Sequence, residues 1–159
     1  MPMSQLRYEY SIPVYRVSLV RDGSHRTPVP QIRSSRDAHQ VFQQYLEGVD
    51  RENFVVMLVD QKHKIIGIHT VATGSLTAAV VHPREVMKPA ILSNAAAIIV
   101  AHNHPSGDPQ PSQEDRALTA KLFQAGKILG IALLDHIILG DGADTYFSFG
   151  DEGLLIVAA

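Results

Sequence analysis

Two rhythms of apolar positions run along the chain. At residues 14–20 (VYRVSLV), β-branched and aromatic residues predict a strand, and Gly23, Pro28 and Pro30 mark Arg21 to Ser35 as a loop. Ser35 is placed to cap a helix through RDAHQVFQQYLE, with Ala38, Val41, Phe42 and Tyr45 on one face and Gly48 at its end. Phe54 to Val59 is a continuous apolar run bounded by charge, which predicts a buried strand; Asp60 to Lys64 turns it into a hairpin partner at Lys64–Val71. The stretch TGSLTAA reads as a connector or short strand. Pro83 suits a helix start, and the helix should run towards Asn94 with a kink or break at Pro89. Ala96–His104 reads as a strand, and the Pro- and Gly-rich segment after it as a loop. A helix follows from Ser112 to Gly126 or Gly130, then a strand at Ile131–Leu139 and a last one near Thr145–Phe149 after the Gly140-Asp141-Gly142 turn.

Helices alternate with strands and hairpins are present too. The expected architecture is an α/β or α+β sandwich, with helices packed on a mixed sheet. Length fits one domain: 159 residues, of which 36–159 form the domain and 1–35 an N-terminal arm or edge strand. Apolar residues at 45% and charged residues at 19% are ordinary globular proportions and argue against disorder. A net charge of −2, with no dense Lys/Arg cluster, gives no support for binding nucleic acid through bulk electrostatics. With no cysteine, disulfides, thiolate metal sites and cysteine nucleophiles are excluded. MPMSQLRYEY lacks the apolar core of a signal peptide, and the longest apolar run, Ala95–Ala101, is too short to span a bilayer. A soluble cytoplasmic protein is expected.

The chemistry concentrates in His102-Asn103-His104-Pro105-Ser106-Gly107-Asp108-Pro109-Gln110-Pro111-Ser112-Gln113-Glu114-Asp115. His102 and His104 end a strand two residues apart, so both imidazoles point to one face. The loop reverses the chain and the next helix carries Asp115 in its first turn. Two imidazoles and a carboxylate make an open zinc site, with water in the fourth position. Each piece alone has a plainer reading. A lone His-x-His is more often accidental, and Ser112-x-x-Asp115 is a capping box. Together they shift the balance, because a cap does not require two histidines one loop upstream. His25, His39, His63 and His69, each taken alone, read as surface or hydrogen-bonded core residues.

His-x-His, seven residues, Ser, two residues, Asp resembles the motif of the JAMM (MPN-plus) metallopeptidases with every spacing matched. The string HNHPSGDPQPSQED after AAIIVA, VHPREV at 81–86 and LLDHIILG at 133–140 are similar to the RadC-like branch in particular, over about Ser35 to Leu155. The resemblance implies an MPN/JAB-like, cytidine-deaminase-like mixed sheet flanked by helices. It also implies zinc (Zn2+) held by His102, His104 and Asp115, where zinc would bring the pKa of a bound water to roughly 7. A glutamate before an early strand would be the general base, and Glu52 in Glu-Asn-Phe-Val-Val-Met-Leu matches it; Glu85 competes, though the helix dipole explains it. Ser112 would donate to the oxyanion, with N-capping as its other role. Asn103 should face away from the metal as a structural or supporting residue, and Ser106, Gly107 and Asp108 shape the loop. His136, beside Asp135 in an apolar strand, reads as a satisfied core histidine, with an outer role behind a ligand imidazole or a three-histidine site as alternatives. Two departures stand out: residues 1–35 are too short for the helix-hairpin-helix region of full-length RadC-like proteins, and Pro89 stands where the family has helix formers.

The function this implies is a zinc-dependent hydrolase of a peptide or isopeptide bond, acting on a peptide or protein substrate. A non-catalytic MPN-type binding module and a DNA-repair accessory protein are the alternatives. Other zinc classes fit poorly. There is no His-Glu-x-x-His and no Pro-Cys-x-x-Cys, and a barrel hydrolase would need roughly 250 residues.

Overall fold

The computed structural model describes residue 7 and residues 9–76 and 81–155. The first helix, α1 (Ser35–Tyr45), starts one residue earlier than the pattern suggests. Ser34 is the N-cap, and its hydroxyl accepts from the Asp37 amide. Next come β1 (Asn53–Val59) and β2 (Ile65–Thr73), an antiparallel hairpin. Then follow α2 (Pro83–Leu92), β3 (Ala97–Asn103), α3 (Gln113–Leu129), β4 (Ala132–Leu139) and the short β5 (Tyr146–Ser148). The connector expected at TGSLTAA lies partly outside the described residues. The five strands form one open sheet in the order β2-β1-β3-β4-β5; β3 and β4 run parallel and every other pair antiparallel. The parallel step needs a crossover, which α3 supplies.

Both faces of the sheet are covered, which is why β1 and most of β3 read as unbroken apolar runs rather than alternating ones. On one face Phe54, Val56, Leu58, Ile98 and Val100 pack under α2 and α3, through Val86, Met87, Ala90 and Leu122. On the other, Val55, Met57, Ile99, Ala101 and Ile137 pack under α1, through Ala38, Val41 and Phe42. The result is a mixed α/β fold of JAB/MPN-like type: a mixed sheet flanked by three helices. No helix among the described residues is long and apolar enough to cross a membrane.

Two expectations fail. Pro89 does not break α2, which continues to Leu92 with the Ser93 amide on the Pro89 carbonyl at 3.0 Å. Interior proline costs about 3 kcal/mol. Burying Val86, Met87, Pro89 and Ala90 on the same helix offsets that, since each large apolar side chain contributes about 1.5–3 kcal/mol. Residues 14–20 are not a strand. From Glu9 to Thr27 the chain is irregular and exposed, with Val14 at 93% and Val17 at 70% exposure. β-branched residues favour a strand only where a partner and a face are available to pack against, and no described strand lies beside this segment.

Candidate metal centre

β3 is bracketed by β1 and β4, with Phe54 opposite His102 on one side and Ile138 opposite it on the other. His102 therefore sits in the sheet interior, 1% exposed. His104 is one residue past the strand, still bonded through its amide to the Leu139 carbonyl at 3.0 Å, and its ring lies on the same side. The following loop closes through Gly107, at φ +85, whose carbonyl accepts from the Asp141 amide at 2.9 Å. A Cβ on Gly107 would stand 2.8 Å from that of Asp141, so glycine is required for both conformation and space.

The loop delivers the start of α3 to the histidines. Ser112 and Asp115 form a complete capping box: the Ser112 hydroxyl accepts from the Asp115 amide at 3.0 Å, and Asp115 Oδ2 accepts from the Ser112 amide at 2.9 Å. The same carboxylate faces the imidazoles, with Oδ1 3.1 Å from His102 Nε2 and Oδ2 3.1 Å from His104 Nε2. The two Nε2 atoms are 3.0 Å apart. Glu52, immediately before β1, brings a carboxylate oxygen to within 4.8 Å of nitrogens of both rings, so Glu52, His102 and His104 are a group able to hold a metal ion. The plain capping role of Ser112 and the convergence of Asp115 with the histidines are thus both present. Glu85 is elsewhere, on α2 in an ion pair with Lys88 at 2.9 Å.

The chemistry of the donor set suits a divalent cation. His104 Nδ1 is 2.7 Å from the Asp108 carbonyl, which can only accept, so Nδ1 carries the proton and Nε2 of the neutral ring presents a lone pair. His102 Nδ1 lies 2.8 Å from His136 Nε2. Three basic groups thus face one point, an arrangement that needs a proton or a metal between them. The pKa shifts follow. The Asp115 contact raises His104 against burial, helped by the Asp108 carbonyl and Glu52. Burial would raise Asp115, but the two imidazoles beside it and the bond from the Ser112 amide hold it far below the usual carboxylate range. Zinc suits two imidazoles and a carboxylate.

Asn103, between the two histidines, turns the other way. Its Oδ1 accepts from the Asn53 amide at 2.8 Å and its Nδ2 donates to the Arg51 carbonyl at 3.1 Å, gripping the backbone on both sides of Glu52. An open groove of about 840 Å³ on the α1 side, lined by Gln40, Gln44, Glu47, Asn103, His104 and Asp141, touches the cluster at His104. Asp135 is not part of the cluster; its buried carboxylate accepts from Ser148 Oγ and the Gly150 and His136 amides. His39 is buried against Tyr146, His25 meets the edge of Tyr45, and His63 and His69 are exposed. Sequence reasoning missed Thr119. Its hydroxyl bonds both His136 Nδ1 at 2.7 Å and the Asp115 carbonyl at 2.8 Å; the available signal was a Thr four residues after Asp115 on a helix.

The family model of the RadC-like JAB domain matches residues 32–154. A UPF0758 protein of Rubrobacter xylanophilus is 45% identical over 140 residues, 88% of this chain and 59% of the relative. One from Moorella thermoacetica is 51% identical and one from Trichlorobacter lovleyi 53% identical, each over 114 residues, 72% of this chain and 50% and 49% of the relatives. The chain therefore spans about half the length of the curated relatives it matches. It belongs to the family of RadC-like JAB domains.

Proposed function

We propose that the chain is a zinc-dependent hydrolase of a peptide or isopeptide bond, with zinc on His102, His104 and Asp115. One observation carries the reading: two imidazole Nε2 atoms and both Asp115 carboxylate oxygens converge within 3.0–3.1 Å. When bound there, zinc supplies Lewis acidity to water and to a carbonyl. Glu52, held by the Asn103 grip and not needed for the ligand set, takes a proton from water and returns it to the leaving amine. Ser112 Oγ accepts from the Asp115 amide, which leaves its own proton for an oxyanion.

The completed capping box favours a second reading, in which Asp115 serves the helix and the domain is a non-catalytic module. Assays of zinc-loaded protein on peptide and isopeptide substrates, with Glu52→Gln alongside, separate the two. The hydrolase reading expects cleavage that falls by about 10²–10⁴-fold in Glu52→Gln while bound zinc stays at the wild-type level. Cleavage unaffected by Glu52→Gln removes the base assignment. Zinc lost from Glu52→Gln but kept by Asp115→Asn makes Glu52 the ligand instead.

A further inference from the structure

His136 is completely buried, yet the hydrolytic scheme gives it no task. Its ring is stacked on Phe149 with centroids 4.9 Å apart and meets Phe54 at 5.6 Å, an environment that an apolar side chain would fill without desolvating two nitrogens. Both nitrogens are engaged instead, Nδ1 by Thr119 and Nε2 by His102.

The proton directions along this chain of bonds are determined by its first member. The Asp115 carbonyl can only accept, so the single Thr119 hydroxyl proton points to it. Thr119 Oγ1 must then accept from His136 Nδ1–H. With Nδ1 donating, the neutral ring is left with a lone pair on Nε2, which accepts from His102 Nδ1–H. His102 therefore turns its Nε2 lone pair to the cluster. We propose that Thr119 and His136 are positioning residues that fix the orientation and tautomer of His102 for the metal, through a relay that begins on the backbone of Asp115 and ends on His102. The relay ties the first turn of α3 to the end of β3 by way of β4, so the spacing of two ligands depends on it. It rests on the reading of His102 as a metal ligand.

The test is the zinc affinity of the full chain, by competition with a chromophoric chelator, for wild type, Thr119→Val, Thr119→Ser, His136→Phe and His104→Ala. Folding is checked by circular dichroism, and the His136 tautomer is read from ¹⁵N shifts of wild-type protein. Thr119→Val and His136→Phe should weaken zinc by about 10- to 100-fold. Thr119→Ser, which keeps the hydroxyl, should bind near the wild-type level, and wild-type His136 should carry its proton on Nδ1. Wild-type affinity in both Thr119→Val and His136→Phe, or a proton on His136 Nε2, overturns the relay. If His104→Ala still loses zinc in that case, the ligand reading stands. Wild-type protein that takes up no zinc overturns both. The tautomer measurement decides even if the variants fold poorly.

Discussion

Single side chains in this molecule carry distinct electrostatic duties. His39 is buried in α1 and stacked on Tyr146, and burial keeps its pKa below the ordinary value of 6.5, against the pull of Asp144. A depressed folded pKa gives stability that is present above 6.5 and lost as pH falls towards the folded value, because the unfolded chain binds the proton first. The loss is at most about 1.4 kcal/mol per pH unit. Urea midpoints between about pH 7.5 and 5.5 should therefore decline less in His39→Phe than in wild type; parallel declines would show that His39 contributes no linkage. At this scale the His-x-His pair and Asp115 were legible, because strand alternation and a helix first turn are local rules. The grip of Asn103 on Arg51 and Asn53 was legible only as a side chain facing away. Thr119 and His136 were hardest, since the bonds joining them to each other and to His102 cross 17 and 34 residues of sequence, and no periodicity spans that.

Among the elements, α3 shows most plainly how packing overrides propensity. Gly126 lies in its last turns, where alanine is ordinarily worth about 1 kcal/mol more than glycine. Here a Cβ would stand 2.3 Å from the Ile131 carbonyl oxygen, a backbone atom with nowhere to go. Gly126→Ala should thus destabilise by about 1–3 kcal/mol, read as a lower urea midpoint with unchanged slope. Equal or greater stability would mean that α3 and the turn into β4 sit further apart than the structure places them. Helix and strand centres were legible from apolar periodicity, and the ends from Ser112, Pro83 and the turn glycines. Pro89 was misleading, because the cost of a lost helix bond is local while the burial that offsets it comes from the sheet beneath.

For the whole molecule, the sheet order brings the ends of β3 and β4 and the start of β1 to one edge, and α3 closes over them. That assembly places Glu52, His102, His104 and Asp115 together from three separate stretches of chain. Sequence order implied the mixed sheet, but whether a strand pattern finds a partner is decided only in three dimensions, as residues 14–20 show by lying exposed. The central claim is that this edge is a zinc site, and the most direct measurement is the metal content of purified protein beside His104→Ala and Asp115→Ala. Asp115 also caps α3, so its loss is expected to cost about 1 kcal/mol of stability on its own; His104 plays no part in the cap and isolates the ligand role. The account expects close to one zinc per wild-type chain and loss of it from both folded variants. Wild-type protein that is folded, metal-free and takes up no added zinc would contradict it, and would leave Ser112 and Asp115 as the cap of a helix in a binding module.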